Sequence, residues 1–209
     1  MEKYIWSLDI STTNVGCSLW NDKGKLIELK HLALKTDKET SVDDRDICKA
    51  DVFKEYCIVY KNRIENELNG EMTNIFVEAP LQNTPKNINT TALLLGFNGI
   101  ARYVLYEVFN LMPFKISVYD SRKLFCPELV HASNKKNRKT GKIERIETVS
   151  FPEKYIKDKK LYIWEKVAIL EPQIEWFYTK NNTLKDMCFD MSDSYCVGVA
   201  GLKTLGILK

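Results

Sequence analysis

The chain has 209 residues, 44% of them hydrophobic and 28% charged, with a formal net charge of +3; that is enough for one real core and ordinary for a globular domain. No apolar run reads as long enough to cross a bilayer, and the N-terminus lacks the basic-then-apolar pattern of a signal peptide, so a cytoplasmic or nucleoplasmic protein without a membrane partner is expected. The six cysteines (17, 48, 57, 126, 188, 196) include no C-x-x-C pair, which argues against zinc and for small buried hydrophobes in a reducing compartment.

The first strand spans residues 3–10, where apolar Tyr4, Trp6 and Leu8 lead to a carboxylate, Asp9. A buried carboxylate is costly unless paired, hydrogen-bonded or metal-bound. Asp9 reads either as a cap of the Ser11-Thr12-Thr13 turn or as a functional group. Val15–Trp20 and Lys25–Leu34 follow as strands joined by the turn Asn21-Asp22-Lys23-Gly24, making an antiparallel meander. From Asp43 to Leu68 the apolar residues fall at helical spacing, with Gly70 as the stop. The stretch NIFVEAP is a short buried strand ending in Glu78. Asn87–Asn110 is a long apolar helix, and FKISVYD a fifth strand ending at Asp120.

Between His131 and Lys160 stand ten Lys or Arg against four acids, a local +6 that leaves the rest of the chain at −3. This segment reads as loop with short helical pieces, either simply solvated or in contact with a polyanion. Leu161–Leu170 is a helix stopped by Glu171-Pro172, and a last helix runs from about Asp186 or Phe189 to Leu205. The whole reads as one α/β domain over 1–209: a central five-stranded mixed sheet, its first three strands antiparallel, flanked by helices.

Three separated elements therefore end apolar stretches in carboxylates. Strands one and four, if neighbours running the same way, bring Asp9 and Glu78 to one edge. In CFDMSDSYCVGVAG, Asp190 and Asp193 share a helix face with Val197 and Ala200, while Gly198 and Gly201 admit close approach to the sheet. Each acid alone has a structural reading, Asp190 as a helix N-cap and Asp193 as a first-turn acid. Together, four carboxylates at one place need a cation, and oxygen-only ligands point to Mg²⁺, or Mn²⁺. Two such ions roughly 3.5–4 Å apart are suited to in-line phosphoryl displacement.

The ordered stretches SLDISTTNVGCSLW, IFVEAPLQNTPKNINTTALLLGFNGIARYVL and FDMSDSYCVGVAG resemble those of RuvC-type Holliday-junction resolvases, in the ribonuclease H-like superfamily, over residues 3 to 203. The resemblance implies a ribonuclease H-like fold and a divalent-metal-dependent endonuclease that resolves four-way junctions or other branched DNA by hydrolysis. It assigns Asp9, Glu78, Asp190 and Asp193 to a catalytic metal cluster holding two ions. It implies a homodimer, since a four-way junction needs two symmetric nicks, with the helix after Glu78 on the dimer side or in the core. It also implies a basic residue near the scissile phosphate, for which Lys160 and Lys166 are candidates and Lys185 a weaker one. Lys166 is taken as the catalytic lysine, and Lys135, Lys136, Arg138, Lys139, Lys142 and Lys160 as DNA contacts. Leu81 stands where cellular members commonly carry an aromatic that stacks at the junction, so it is placed against DNA without that ring. The turn after Asp9 lacks the usual glycine, and about 131–160 looks like a basic insertion. These departures are those of a phage- or virus-type member, acting in the cytoplasm of an infected host cell.

Three rivals remain. A ribonuclease H acting on RNA–DNA hybrids shares the metal chemistry. LDISTTNVG also looks like the first phosphate loop of actin-like sugar kinases, which need a second lobe. A non-catalytic DNA-binding scaffold would keep its function without the acids. His31, His131, Trp164, Trp176, Phe177 and Tyr178 carry no specific signal.

Overall fold

Strand β1 (Glu2–Ile10) is covered on both faces. The computed structural model describes residues 1–36, 41, 44–80, 88–136 and 141–209, and of 88–90 only the backbone. Tyr4, Trp6, Leu8 and Ile10 point to one layer and Ile5 to the other, the period-2 alternation of a strand. Strand β1 lies at the centre of a five-stranded sheet with order β3-β2-β1-β4-β5. It pairs antiparallel with β2 (Asn14–Asn21) and parallel with β4 (Gly70–Ala79). Strand β3 (Leu26–Ala33) extends the antiparallel side and β5 (Phe114–Ser117) the parallel side. The mixed five-stranded sheet with an antiparallel meander first is as the sequence predicts.

Helices α1 (Arg45–Asn66) and α2 (Ile88–Phe109) cover one face, where Phe53, Cys57, Tyr60 and Ile64 meet Phe97, Ala101 and Leu105 over Trp6 and Leu8. Helix α5 (Met187–Thr204) covers the other, with α4 (Lys159–Leu170) and α3 (Val118–Phe125) beside it. All six cysteines are free, and five are buried.

Three expectations need correction. The fifth strand stops at Ser117, and Val118–Phe125 is a helix. Its start is a cap: the Ser117 hydroxyl accepts from the Asp120 amide at 3.0 Å and donates to the Asp120 carboxylate at 2.6 Å. The basic segment is chiefly a hairpin rather than a loop, β6 (Val130–Lys136) pairing antiparallel with β7 (Ile143–Val149). By length and composition, Thr91–Phe109 of α2 is apolar enough to span a bilayer, contrary to expectation. Here it is a core helix: Asn98 is buried against the sheet and Glu107 pairs with Lys54 at 2.8 Å. Its outer side exposes Leu93, Leu95, Ile100, Tyr103 and Tyr106.

Candidate active site

The β1–β2 pairing grades side-chain size toward the site. On the face covered by α5, Ile5 pairs with Trp20, then Ser7 with Ser18, then Asp9 with Gly16. The taper lets the N-terminal end of α5 close onto the sheet. A Cβ on Gly16 would overlap the Asp190 carbonyl, and one on Gly198 would overlap Trp20 and Ser7. Between these points the Ser18 hydroxyl donates to the Ser194 carbonyl at 2.9 Å, and the Trp20 indole N–H reaches Ser7 and Ser18 at 3.1 and 3.0 Å. These bonds satisfy polar groups buried where helix and sheet meet, and so fix the helix that carries the two late acids.

Asp9 and Glu78 end adjacent parallel strands, with Leu8 registered against Val77. The capping role weighed for Asp9 belongs to Ser11, whose hydroxyl accepts from the Asn14 amide at 2.9 Å and donates to its carbonyl at 2.8 Å. The Asp9 carboxyl instead lines the same cavity as that of Glu78. Behind Glu78, Asn98 of α2 donates to its carbonyl at 3.4 Å. Asp190 lies in the first turn of α5, whose N-cap is Asp186, and Asp193 lies one turn on and is 3% exposed.

All four carboxylates line one cavity of about 280 Å³, together with Ser11, Arg122 and Lys160. Lys160 Nζ stands 2.9 Å from Asp193 Oδ2 and 3.6 Å from Asp190 Oδ1. Arg122 Nη2 is 4.0 Å from Asp193 Oδ1, and its buried Nε has no hydrogen-bond partner. Burial pushes the Asp9 carboxyl up to about 7, with the Asp193 charge adding to it and Lys160 opposing. Burial, and next the Asp9 charge, also hold Glu78 well above the ordinary carboxylate range. Asp190 is raised by burial, with Lys160 pulling the other way. Burial works against the Lys160 charge, but Asp193, Asp9 and Asp190 outweigh it and raise that ammonium.

Among the described residues, no three acidic, histidine or cysteine side chains form a ready-made shell for an ion. The donor set nevertheless fits a hard divalent cation. It is all oxygen, and four carboxylates face two cations, Lys160 and Arg122. Burial first, and the neighbouring acids next, raise Asp9 and Glu78, and a bound cation would favour their ionised forms.

Lys166 is a correction. Its ammonium donates to the Phe125 carbonyl at 2.9 Å and to Glu128 at 2.6 Å, so it ties α4 to the end of α3 and does not reach the acids. Lys160, about one and two-thirds turns earlier, is the lysine that reaches the acids. The charge of Lys185 acts on His31. Lys135 and Lys136 are exposed on β6, and Lys142 is exposed just before β7; Leu81, Arg138 and Lys139 lie outside the described residues. Trp164 and Trp176 pack edge to face at 5.9 Å, whereas Phe177 and Tyr178 are exposed. The residue that sequence reasoning missed is Arg122. The signal was Ser117-x-x-Asp120, a helix start that turns the following segment and its arginine toward the cavity.

No protein-family model matches the sequence, and no curated protein matches it. Among solved structures, Thermus thermophilus RuvC in complex with a Holliday junction substrate aligns with a TM-score of 0.55 at 11% identity, covering 99% of this chain and 98% of that one. A second Thermus thermophilus RuvC structure aligns with a TM-score of 0.50 at 9% identity, over the same shares. The chain thus has the ribonuclease H-like fold of RuvC, built on a five-stranded mixed sheet with helices on both faces.

Proposed function

We propose that this protein is a divalent-metal-dependent endonuclease that cuts branched DNA, a four-way junction above all. The observation that carries the reading is the cluster itself: four carboxylates from β1, β4 and α5 meet around one cavity with Lys160 and Arg122 on its wall. The likeness of the whole chain to RuvC supports the substrate class. Asp9, Glu78, Asp190 and Asp193 would hold Mg²⁺ or Mn²⁺, one or two ions. Bound there, such ions supply Lewis acidity and an activated water for phosphodiester hydrolysis.

The protein's own groups do the rest. The Ser7–Ser18–Trp20 bonds and the Gly16 contact hold the late acids against the strand-end acids. Lys160 and Arg122 offer cationic donors to a phosphate at the cavity mouth, Lys160 as a point charge and Arg122 as a fork. A homodimer is part of the reading, formed across the outer face of α2. Leu93, Leu95, Ile100, Tyr103 and Tyr106 are exposed there, and Cβ atoms added at Gly96 and Gly99 would meet nothing. The serine-threonine turn after Asp9 and the basic hairpin are what support a phage- or virus-type member. The described residues form one five-stranded sheet and one hairpin, and the paired lobes of the kinase alternative are not among them.

The test is cleavage of a labelled four-way junction with Mg²⁺, beside linear duplex, flap and RNA–DNA hybrid, with the Asp9→Asn variant in parallel. Paired nicks in the junction, lost in the variant, are expected. Cleavage of the hybrid alone would keep the metal chemistry and overturn the substrate.

A further inference from the structure

The β6–β7 hairpin is built with two unlike faces. In its register, Ala132 stands opposite Glu147, Asn134 opposite Arg145 and Lys136 opposite Ile143, so these side chains share one face. On the other face Ser133 stands opposite Ile146 and Lys135 opposite Glu144, an opposite-charge cross-strand pair. At its base the first face is clamped to the protein. The Tyr119 hydroxyl donates to the Glu147 carbonyl at 2.7 Å, the Lys123 ammonium pairs with the Glu147 carboxylate, and Val149 packs on the core. Lys123 thereby offsets the Glu147 charge, so beyond the clamp the described residues of this face present exposed Asn134, Lys136, Arg145 and Ile143 and no further acid. The clamp sits on α3, the helix whose Arg122 lines the acidic cavity.

We infer that this hairpin is a ribbon for a duplex arm of the DNA, with the Asn134–Lys136–Arg145 face on the DNA and the Lys135–Glu144 face turned to solvent, which removes Lys135 from the DNA contacts that the sequence suggested. The inference rests on the nuclease reading of the cavity. Charge complementarity selects the partner, since Lys136 and Arg145, set against the single acid Glu147 that Lys123 already pairs, leave this face cationic, which suits a phosphate backbone, and Asn134 adds a hydrogen-bonding group beside them. Shape agrees with it: a two-stranded ribbon fits a major groove about 12 Å wide. From Glu147 to Ile143 the strand advances roughly 13 Å, enough to pass several phosphates. Because the ribbon is fixed to α3, a duplex arm held on it is held in register with the acids.

The experiment is fluorescence anisotropy of the full chain in EDTA, on a labelled four-way junction and on a short linear duplex, across a salt series. The double variant Lys136→Gln/Arg145→Gln is compared with Lys135→Gln/Glu144→Gln, and the thermal midpoint of each confirms folding. The first pair is expected to weaken binding to both DNAs about tenfold and to lower the slope of log K against log salt by about 2. The second pair is expected to leave both unchanged. Equal losses from the two pairs, or no loss from the first, would overturn the assignment of the face. If wild type cuts the junction while the first variant binds as wild type does, the inference falls and the nuclease reading stands. If wild type binds neither DNA, both fall.

Discussion

The Asp190 carbonyl occupies the space that a side chain on Gly16 would need. Gly16 is also the β2 partner of Asp9. One missing side chain therefore sets how closely the α5 acids approach the strand-end acids. Gly16→Ala should push the first turn of α5 off the sheet, costing about 2–3 kcal/mol as an overpacked contact against backbone. Denaturant unfolding would show the loss, and divalent-ion affinity should fall with it. A variant with unchanged stability and affinity would mean that α5 is not held by this contact.

Lys160 and Lys166 should separate cleanly. Lys160→Met removes the cation beside Asp190 and Asp193. The metal-free protein should lose about 1–2 kcal/mol, less than for a fully buried pair because the ammonium is half-exposed. Mg²⁺ should restore much of that loss, which a differential scan with and without the ion would reveal. Lys166→Met breaks the tie to Phe125 and Glu128, and its loss should be indifferent to Mg²⁺. Equal rescue of both variants would count against the placement of Lys160.

Protonation links the acids to stability. Asp9 is raised from an ordinary 3.8 to about 7, chiefly by burial, and Glu78 is raised as well. Folding thus favours the protonated forms. The Asp9 contribution is complete below about 3.8 and is lost as pH rises through about 7, and the Glu78 contribution has the same sign. Without metal, stability should decline between pH 4 and 7 from this source. A divalent ion binds the ionised cluster and offsets the loss, so the rise in thermal midpoint on adding Mg²⁺ should be larger at pH 8 than at pH 6. In Asp9→Asn both the decline and the Mg²⁺ increment should shrink. An increment that does not depend on pH would contradict this linkage.

The acids were legible in the sequence because each ends an apolar run, where a carboxylate is out of keeping with its neighbours. The D-x-x-D spacing on a glycine-bearing helix was equally plain. The choice between Lys160 and Lys166 was not, since six residues at about 100° each put them roughly 120° apart on α4, and only packing decides which side meets the acids. Arg122 was hidden because FKISVYD alternates like a strand, while the cap formed by Ser117 and Asp120 ends it after four residues. The hairpin escaped for a different reason. Past its base both faces are exposed, so it carries none of the apolar alternation that marks a half-buried strand.

The homodimer has its own test. Tyr103→Glu places a charge on the exposed outer face of α2, away from the acids. Sedimentation at several concentrations should show a dimer for wild type and a monomer for the variant, with the fold retained by circular dichroism. A wild-type monomer at every concentration would remove the α2 interface from the account.

The most direct test of the central claim is titration of the metal-free protein with Mn²⁺, followed by electron paramagnetic resonance, for wild type, Asp9→Asn and Asp193→Asn. Wild type is expected to take up Mn²⁺ and each variant to bind at least about tenfold more weakly while remaining folded. Mn²⁺ uptake equal in all three, or none in wild type, would contradict a metal centre at these four carboxylates.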